Sequence, residues 1–274
     1  MDKFKYFLEK NKMLIIIASI ILICSIAIAL AVYAQITTNT SNKTREETET
    51  ANYEELKSNF EYMFTNSIDK QVTAKLDINY DELVYCKYDV QEEKSGKYSI
   101  NAKIPYFKQE NNVTLQINNE IFNIFGKKLI EIINTSTVNT TYNMDYVVYV
   151  NDNIVSLVIR CKYKNGSNPQ REIIQTYNYD VENKKILGIQ DILAYKGLDK
   201  QQVQDKIYEE IKAVNNEKKT ISEQGYNVYM RDEANEIYEV DKTPNFFIGK
   251  NNYLYLVYAY GNRNYTSEID LIIF

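Results

Sequence analysis

The sequence predicts an α+β fold in which antiparallel sheet carries a few helices packed on one face, preceded by a single transmembrane helix. Three features of the sequence carry this prediction. An unbroken apolar run covers residues 13–34, strand-like stretches recur over 83–181 and 253–274, and amphipathic helical stretches interrupt them in only a few places. Strand runs broken by occasional helices are typical of α+β domains.

The apolar run over 13–34 contains no charged residue, no Pro and no Gly. About 20 such residues suffice to cross ~30 Å of hydrocarbon as a helix. Lysines precede the run, and the first basic residue after it is Lys43. Because basic residues stay on the cytoplasmic side, we expect residues 1–12 to be a cytoplasmic stub. The protein would then be a single-pass protein of the cell membrane, with its bulk outside the cell.

A cleaved secretory signal is the rival interpretation of the same run. Val32 and Ala34 precede Gln35 as the small residues that a signal peptidase requires. Against cleavage, the run is longer than the ~7–15 residues of a typical signal core. Both interpretations place residues 35–274 outside the cytoplasm.

The part of the chain after the run divides by composition. Residues 35–52 are almost all polar, which predicts a stalk because such a segment cannot bury enough surface to fold. Residues 53–274 are expected to form the extracytoplasmic α+β domain. Its length suits one sizeable domain or two small ones, with a sub-boundary possible near residue 140.

The first half of this domain shows a helix, a hairpin and a second helical stretch. Apolar residues recur at helical spacing at Tyr53, Leu56, Phe60, Met63 and Phe64. Residues 83–90 are rich in β-formers, the Ser-Gly-Lys sequence at 95–97 can turn the chain, and 98–106 alternates apolar with polar residues. Residues 113–133 again carry apolar side chains near helical spacing.

The second half is predicted to contain more strands and one long helix. Three strands are expected at 145–150, 154–163 and 172–181, joined by turns rich in Asn and Gly. An apolar stripe predicts a helix over 199–215, while 216–243 is polar and poorly patterned. The chain ends in two strand-like stretches, 253–260 and 268–274, whose connecting turn predicts a hairpin.

The chain contains no histidine. Ser-His-Asp and Cys-His nucleophile systems are therefore excluded, and so are imidazole-ligated zinc and iron sites. The formal net charge is -5, and a mildly acidic chain is a poor binder of nucleic acid. We therefore expect no catalysis, no metal or other cofactor, and no nucleic-acid partner.

Two cysteines lie beyond the apolar run, each in a strand-like stretch. Outside the cytoplasm Cys86 and Cys161 could form a disulfide. Alternatively, both are small buried side chains that never meet. The sequence leaves both interpretations open.

Carboxylates are the acid–base residues that remain. They cluster in two places, at Asp180, Glu182 and Asp191 and at Asp89, Glu92 and Glu93. Glycoside cleavage needs two carboxyl groups about 5–10 Å apart, whereas acidic residues are also ordinary in turns. A carboxylate-based cell-wall hydrolase is therefore an alternative function.

The stretch 253–260 contains the candidate ligand contacts. Tyr253 and Tyr255 fall on one face of the predicted strand, and Tyr258 and Tyr260 fall on the other. An exposed row of tyrosines would suit contact with sugar or protein, because Tyr is enriched at binding hot spots. Tyr is also simply a good strand residue.

Several short segments together resemble a known family. A strand-like stretch at 177–181 is followed by a turn at 184–187 and by a D-I-L sequence within 189–193, which leads into a helix. Later in the chain, residues 256–261 precede an E-I-x-L-I-I strand. Earlier in the chain, residues 104–106 precede the helix through Ile117, Asn118 and Ile121. Over about residues 70–274, this order resembles the paired domains of unknown function in the RsiV anti-sigma factor ectodomain. The region before the catalytic domain of PdaC peptidoglycan deacetylases contains similar domains.

The resemblance implies an extracytoplasmic recognition domain, because the RsiV family senses lysozyme. That family places a long sigma-binding segment in the cytoplasm, whereas the stub here covers only residues 1–12. The deacetylase chemistry needs His ligands, which this chain lacks. We therefore expect a binding or sensing domain whose partner is a protein such as lysozyme or a peptidoglycan glycan. A structural subunit of a membrane complex is a further alternative.

Overall fold

The computed structural model describes residues 53–76, 83–108 and 110–274. The predicted cytoplasmic stub, transmembrane helix and stalk lie outside these ranges. Among the residues described, no helix has the length and apolar character needed to cross a membrane. The predicted first helix is present at 53–59, in a unit separate from the compact unit Glu61–Phe274.

Seven strands form the larger sheet. Its order is β2-β3-β4-β5-β6-β7, and β1 also pairs with β4. The strands are β1 (Ile68–Lys70), β2 (Val84–Lys94), β3 (Tyr98–Phe107), β4 (Thr140–Asn151), β5 (Ile154–Asn165), β6 (Arg171–Asp180) and β7 (Lys185–Ile186). The hairpin predicted around the turn at 95–97 is confirmed, since β2 and β3 pair antiparallel. Residue 140, near which a sub-boundary was expected, is the first residue of β4 in this sheet.

The predicted antiparallel pairing is confirmed for most strand pairs of this sheet and is wrong for two pairs, which are parallel. β3 and β4 pair in parallel, with Tyr98 opposite Thr140, and β1 and β4 pair in parallel, with Ile68 opposite Val148. The reason lies in the connection between β3 and β4, which contains the helices over 112–135. A parallel pair needs such a crossover of a dozen or more residues.

The crossover packs on one face of the larger sheet. It comprises α1 (Asn112–Ile121), a π-helical segment (Phe122–Gly126) and α2 (Lys127–Thr135). The side chain of Asn111 caps α1 by accepting hydrogen bonds from the backbone N–H groups of Val113 and Thr114. Buried residues of α1 and α2, including Ile117 and Ile132, join the core formed by the even-numbered side chains of β4.

A second sheet of three antiparallel strands has the order β10-β9-β8. The strands are β8 (Asn245–Ile248), β9 (Leu254–Ala259) and β10 (Ile269–Ile273). The predicted C-terminal hairpin is confirmed by the pairing of β9 with β10. Helices α3 (Ile189–Lys196) and α4 (Lys200–Glu223) pack against one face of this sheet in a separate core.

The residues 61–274 therefore stack in four layers, helix–sheet–sheet–helix. Phe247 of β8 marks the contact between the sheets, because its ring lies between Tyr149 of β4 at 5.9 Å and Tyr255 of β9 at 4.6 Å. The prediction that helices pack on one face holds for each sheet taken singly, since each sheet has helices on its outer face and the other sheet on its inner face. Two stacked sheets leave each sheet one free face, and each free face needs its own apolar cover.

Side chains of the larger sheet satisfy the free edge of β8. Phe246 donates its N–H to Thr176 Oγ1 at 3.1 Å, and its carbonyl accepts from the Asn178 amide at 2.8 Å. The N–H of Ile248 donates to Ser156 Oγ at 3.2 Å. Because these bonds replace a strand ladder, the edge of β8 is buried without orphaned backbone groups.

Candidate functional site

Cys86 and Cys161 are free thiols. Cys86 lies on β2 and Cys161 on β5, and β3 and β4 run between them. Three strand spacings of ~4.8 Å separate them by roughly 14 Å, whereas a disulfide needs Cα atoms within about 7 Å. The pairing expected as one alternative is therefore not formed. Cys161 is fully buried.

The expectation of an exposed tyrosine row is wrong. Tyr255 and Tyr258 are fully buried and Tyr260 is 6% exposed, while Tyr253 is half-buried. The physical reason is the layer order, because β9 contacts the larger sheet on one face and the helices on the other. A strand covered on both faces is apolar or aromatic at every position, and 253–260 has that pattern.

Residues of both acidic clusters form hydrogen bonds or ion pairs within the local structure. Asp191 accepts from the N–H of Gly188 at 2.9 Å and so caps α3, and Asp180 accepts from Asn183 in the turn after β6. Asp89 pairs with Lys103 across the β2–β3 hairpin, and Glu92 accepts from the hydroxyl of Tyr98. Among the residues described, no group of three Cys, Asp or Glu side chains could hold a metal ion.

An open cleft of about 730 Å³ lies where three loops meet at one end of the second sheet. The loops are the turn before β6, the segment after α4, and the segment that leads into β10. The cleft is lined by Pro169, Gln170, Asn227, Val228, Tyr229, Tyr265, Thr266, Ser267, Glu268 and Ile269. Ligand sites typically have volumes of about 300–1,000 Å³, so the cleft has the size of a binding site.

A network of ion pairs holds the base of the cleft. Glu268 accepts hydrogen bonds from Lys218 of α4 at 3.1 Å and from Arg231 at 3.0 Å. Burial raises the pKa of Glu268, but the bonds from Lys218 and Arg231 outweigh burial and leave its pKa below the ordinary value. The carboxyl group at the base of the cleft is therefore ionised and fixed in position.

The network continues inward from Arg231. Arg231 holds Asp270 of β10 with two hydrogen bonds, and Asp270 accepts a third from the hydroxyl of Tyr260 at 2.6 Å. Tyr260 in turn lies 2.7 Å from the hydroxyl of Tyr238, and burial raises the pKa of Tyr238 to about 12. Tyr260, a predicted ligand contact, is thus a support beneath the cleft and not part of its surface.

The rim of the cleft carries an exposed aromatic ring and two neutral amide side chains. The Tyr265 ring is 58% exposed and lies 5.5 Å from the guanidinium of Arg171, whose own hydrogen bonds go to the carbonyls of Gly261 and Asn262. The side-chain amides of Gln170 and Asn227 are exposed, and neither has a hydrogen-bond partner in the described part of the chain. These groups are available to a ligand.

Tyr229 lines both the cleft and a smaller neighbouring cavity of about 80 Å³. Its hydroxyl accepts a hydrogen bond from the Asn264 amide at 2.8 Å, and its ring lies 5.7 Å from the Arg231 guanidinium. Tyr229 is therefore fixed on two sides.

The sequence pattern does not indicate this cleft. Its lining comes from three loops that are far apart in the chain, and one of them lies in the stretch 216–243 that shows no periodic pattern. One usable signal was present, namely Tyr226, Tyr229 and Tyr265 in segments otherwise rich in Asn, Gly and Ser. Binding residues lie disproportionately on loops, and Tyr is enriched at binding hot spots.

The fold is a two-sheet α+β domain with an open cleft at one end of the second sheet. Comparison with known proteins adds a weak structural similarity. No family model matches the chain, and no curated protein matches it. The chain is similar to the crystal structure of a DUF3298 family protein from Pseudomonas aeruginosa, with 13% identity, a TM-score of 0.40, and coverage of 66% of this chain and 82% of that chain. DUF3298 is the domain of unknown function of RsiV- and PdaC-like proteins. A similarity this weak gives no information about the ligand or the activity of this protein.

Proposed function

We propose that the protein is a membrane-anchored binding or sensing domain that works outside the cytoplasm and carries out no catalysis. Its ligand is a protein or a cell-wall glycan, and the cleft is the binding site. The observation that carries the proposal is the cleft itself, with exposed Tyr265 and unpaired amides of Gln170 and Asn227 above a fixed base.

The charges in the cleft favour binding over hydrolysis. Glu268 is the one acidic residue of the lining, and two cations lower its pKa. A glycosidase acid must instead carry a raised pKa and act with a second carboxyl group. Asp270, which shares Arg231 with Glu268, is 7% exposed and held by Arg231 and Tyr260. These charges support a binding site rather than a hydrolase site.

The membrane anchor and the exported position rest on the sequence. The apolar run at 13–34 and the lysines before it support a single span with the domain outside. Protease added to intact cells tests this part, because the domain should be degraded while a cytoplasmic control protein survives. Survival of the domain, with digestion of a known surface protein, would refute the location.

Binding and catalysis are separated by one experiment on the full chain in lipid nanodiscs. The protein is mixed with purified peptidoglycan sacculi and, in parallel, with immobilised lysozyme. We expect retention on one of them with no release of soluble sugar or peptide fragments. Fragment release would favour the hydrolase, and no retention on either ligand would remove the binding function as stated.

A further inference from the structure

We propose that the cleft binds an uncharged saccharide chain, with Tyr265 and Tyr229 against the sugar faces and the amides of Gln170 and Asn227 bonded to its hydroxyl groups. This inference rests on the proposed function and names the ligand class of the same cleft. Three properties of the lining support it: its aromatic rings, its neutral hydrogen-bonding groups and its balanced charge.

The two rings suit the apolar faces of sugar rings. Tyr265 is 58% exposed, and the Arg171 guanidinium at 5.5 Å contacts its ring. Tyr229 is half-buried and fixed by Asn264 and Arg231. Rigid aromatic side chains provide contact area at low conformational cost, and an aromatic ring presents an apolar face with a polar tip.

The remaining lining groups are neutral donors and acceptors. Gln170 and Asn227 each offer an amide with two donors and one acceptor, and neither amide has a described partner. Ser267 donates to the carbonyl of Gln170 and keeps its lone pairs free, while Thr266 accepts from the N–H of Glu268. Such mixed groups match sugar hydroxyls, which both donate and accept.

The charge of the lining selects against ionic ligands. Lys218 and Arg231 already compensate Glu268, and the side chain of Arg231 is 1% exposed. An anionic ligand would meet the Glu268 carboxylate without any lining cation to pair with it. A cationic ligand would compete with two cations that are already hydrogen-bonded there. An uncharged chain avoids both costs.

The test measures affinity by calorimetry on the full chain in nanodiscs. The probes are chitotetraose and cellotetraose as uncharged saccharides, fully deacetylated chitotetraose as a cation, tetragalacturonate as an anion, and tetra-alanine as a peptide. We expect at least one uncharged saccharide to bind, and each charged saccharide to bind at least about tenfold more weakly, a difference of ~1.4 kcal/mol.

Substitutions in the cleft test whether the saccharide binds there. Y265A should weaken saccharide binding about tenfold, as loss of an aromatic contact would, whereas Y265F keeps the ring and should bind like the original. N227A should weaken binding by a smaller factor. Y62A is the matched control, because Tyr62 is a 76% exposed tyrosine that does not line the cleft, and it should leave affinity unchanged.

The outcomes separate this inference from the proposed function. One outcome is that no saccharide binds, while tetra-alanine or lysozyme binds and Y265A abolishes that binding. This outcome would overturn the saccharide as the ligand class and leave the proposed binding function in place. Saccharide binding that Y265A and N227A leave unchanged would overturn the cleft as its site. Failure of every probe, together with failure to be retained on sacculi or lysozyme, would overturn both.

Discussion

Arg231 and Asp270 form a two-point ion pair at the base of the cleft. Arg231 Nε lies 2.8 Å from Asp270 Oδ2, and Nη2 lies 2.7 Å from Oδ1. The exposed fractions of the two side chains are 1% and 7%. Since Arg231 follows α4 and Asp270 lies in β10, the pair ties an irregular segment to the second sheet. Charged pairs of this geometry are among the stronger hydrogen bonds in proteins.

The first prediction concerns this pair. R231M leaves Asp270 and Glu268 without their shared cation, and the free energy of unfolding should fall by about 3–5 kcal/mol. Urea unfolding of the domain followed by circular dichroism measures the change. R263M is the control, because Arg263 is exposed, and its effect should stay within about 0.5 kcal/mol. Equal stability of the two variants would show that the ion pair contributes nothing.

The second prediction concerns Glu172 and pH. Glu172 is 6% exposed, its Oε1 has no partner among the described residues, and burial raises its pKa despite Lys162 and Arg160 nearby. The folded pKa lies above the unfolded one. The contribution of Glu172 to stability is therefore fully present below the pKa of its carboxyl group in the unfolded chain. It is lost as pH rises through the pKa of the same group in the folded protein.

Replacing the Glu172 carboxyl group by an amide removes this pH-dependent loss of stability. E172Q should raise the free energy of unfolding at about pH 7, and the gain should shrink at pH values below the ordinary carboxyl pKa of 4.5, where both states are protonated. Urea titrations at about pH 7 and at a pH below the ordinary carboxyl pKa measure the free energy of unfolding of E172Q and of the original protein. E93Q, at an exposed position of β2, should change stability equally at both. A gain for E172Q that is the same at both pH values would contradict the assignment.

The third prediction concerns a close backbone contact. A Cβ atom at Gly261 would lie 2.1 Å from the carbonyl oxygen of Glu172, whereas one at Gly188 would meet its nearest neighbour at 3.7 Å. G261A should therefore destabilise the domain by at least ~2 kcal/mol, because backbone cannot move aside cheaply. G188A should change stability by less than about 1 kcal/mol. Thermal unfolding of both variants gives the comparison, and similar melting temperatures would disprove the clash.

Periodicity predicted most strands and helices but not how they are stacked. The pattern of 253–260 correctly indicated a strand, yet it could not show that both faces of that strand are covered. Burial of Tyr255 and Tyr258 depends on the larger sheet and on the helices, which are distant in sequence. The four-residue strand β8 escaped prediction because so short a run has no measurable period.

The cleft could not be predicted for a different reason. Gln170, Asn227 and Tyr265 come from three loops and meet only because the second sheet stacks on β6. Local spacing carries no information about such a meeting. The direction of β4 was equally hidden, since a strand pattern does not distinguish a parallel from an antiparallel neighbour.

The last prediction tests one asparagine against its sequence neighbour. The buried Asn118 amide joins α1 to the end of β3, since it accepts from the N–H of Phe107 at 2.8 Å and donates to its carbonyl at 2.9 Å. N118L removes both bonds and leaves two buried backbone groups unpaired, so the free energy of unfolding should fall by about 2–4 kcal/mol. Asn119 is exposed, so N119L should change it by less than about 0.5 kcal/mol. Urea unfolding of both variants gives the two values. If N118L proved as stable as N119L, packing of α1, rather than this amide, would hold the helix to the sheet.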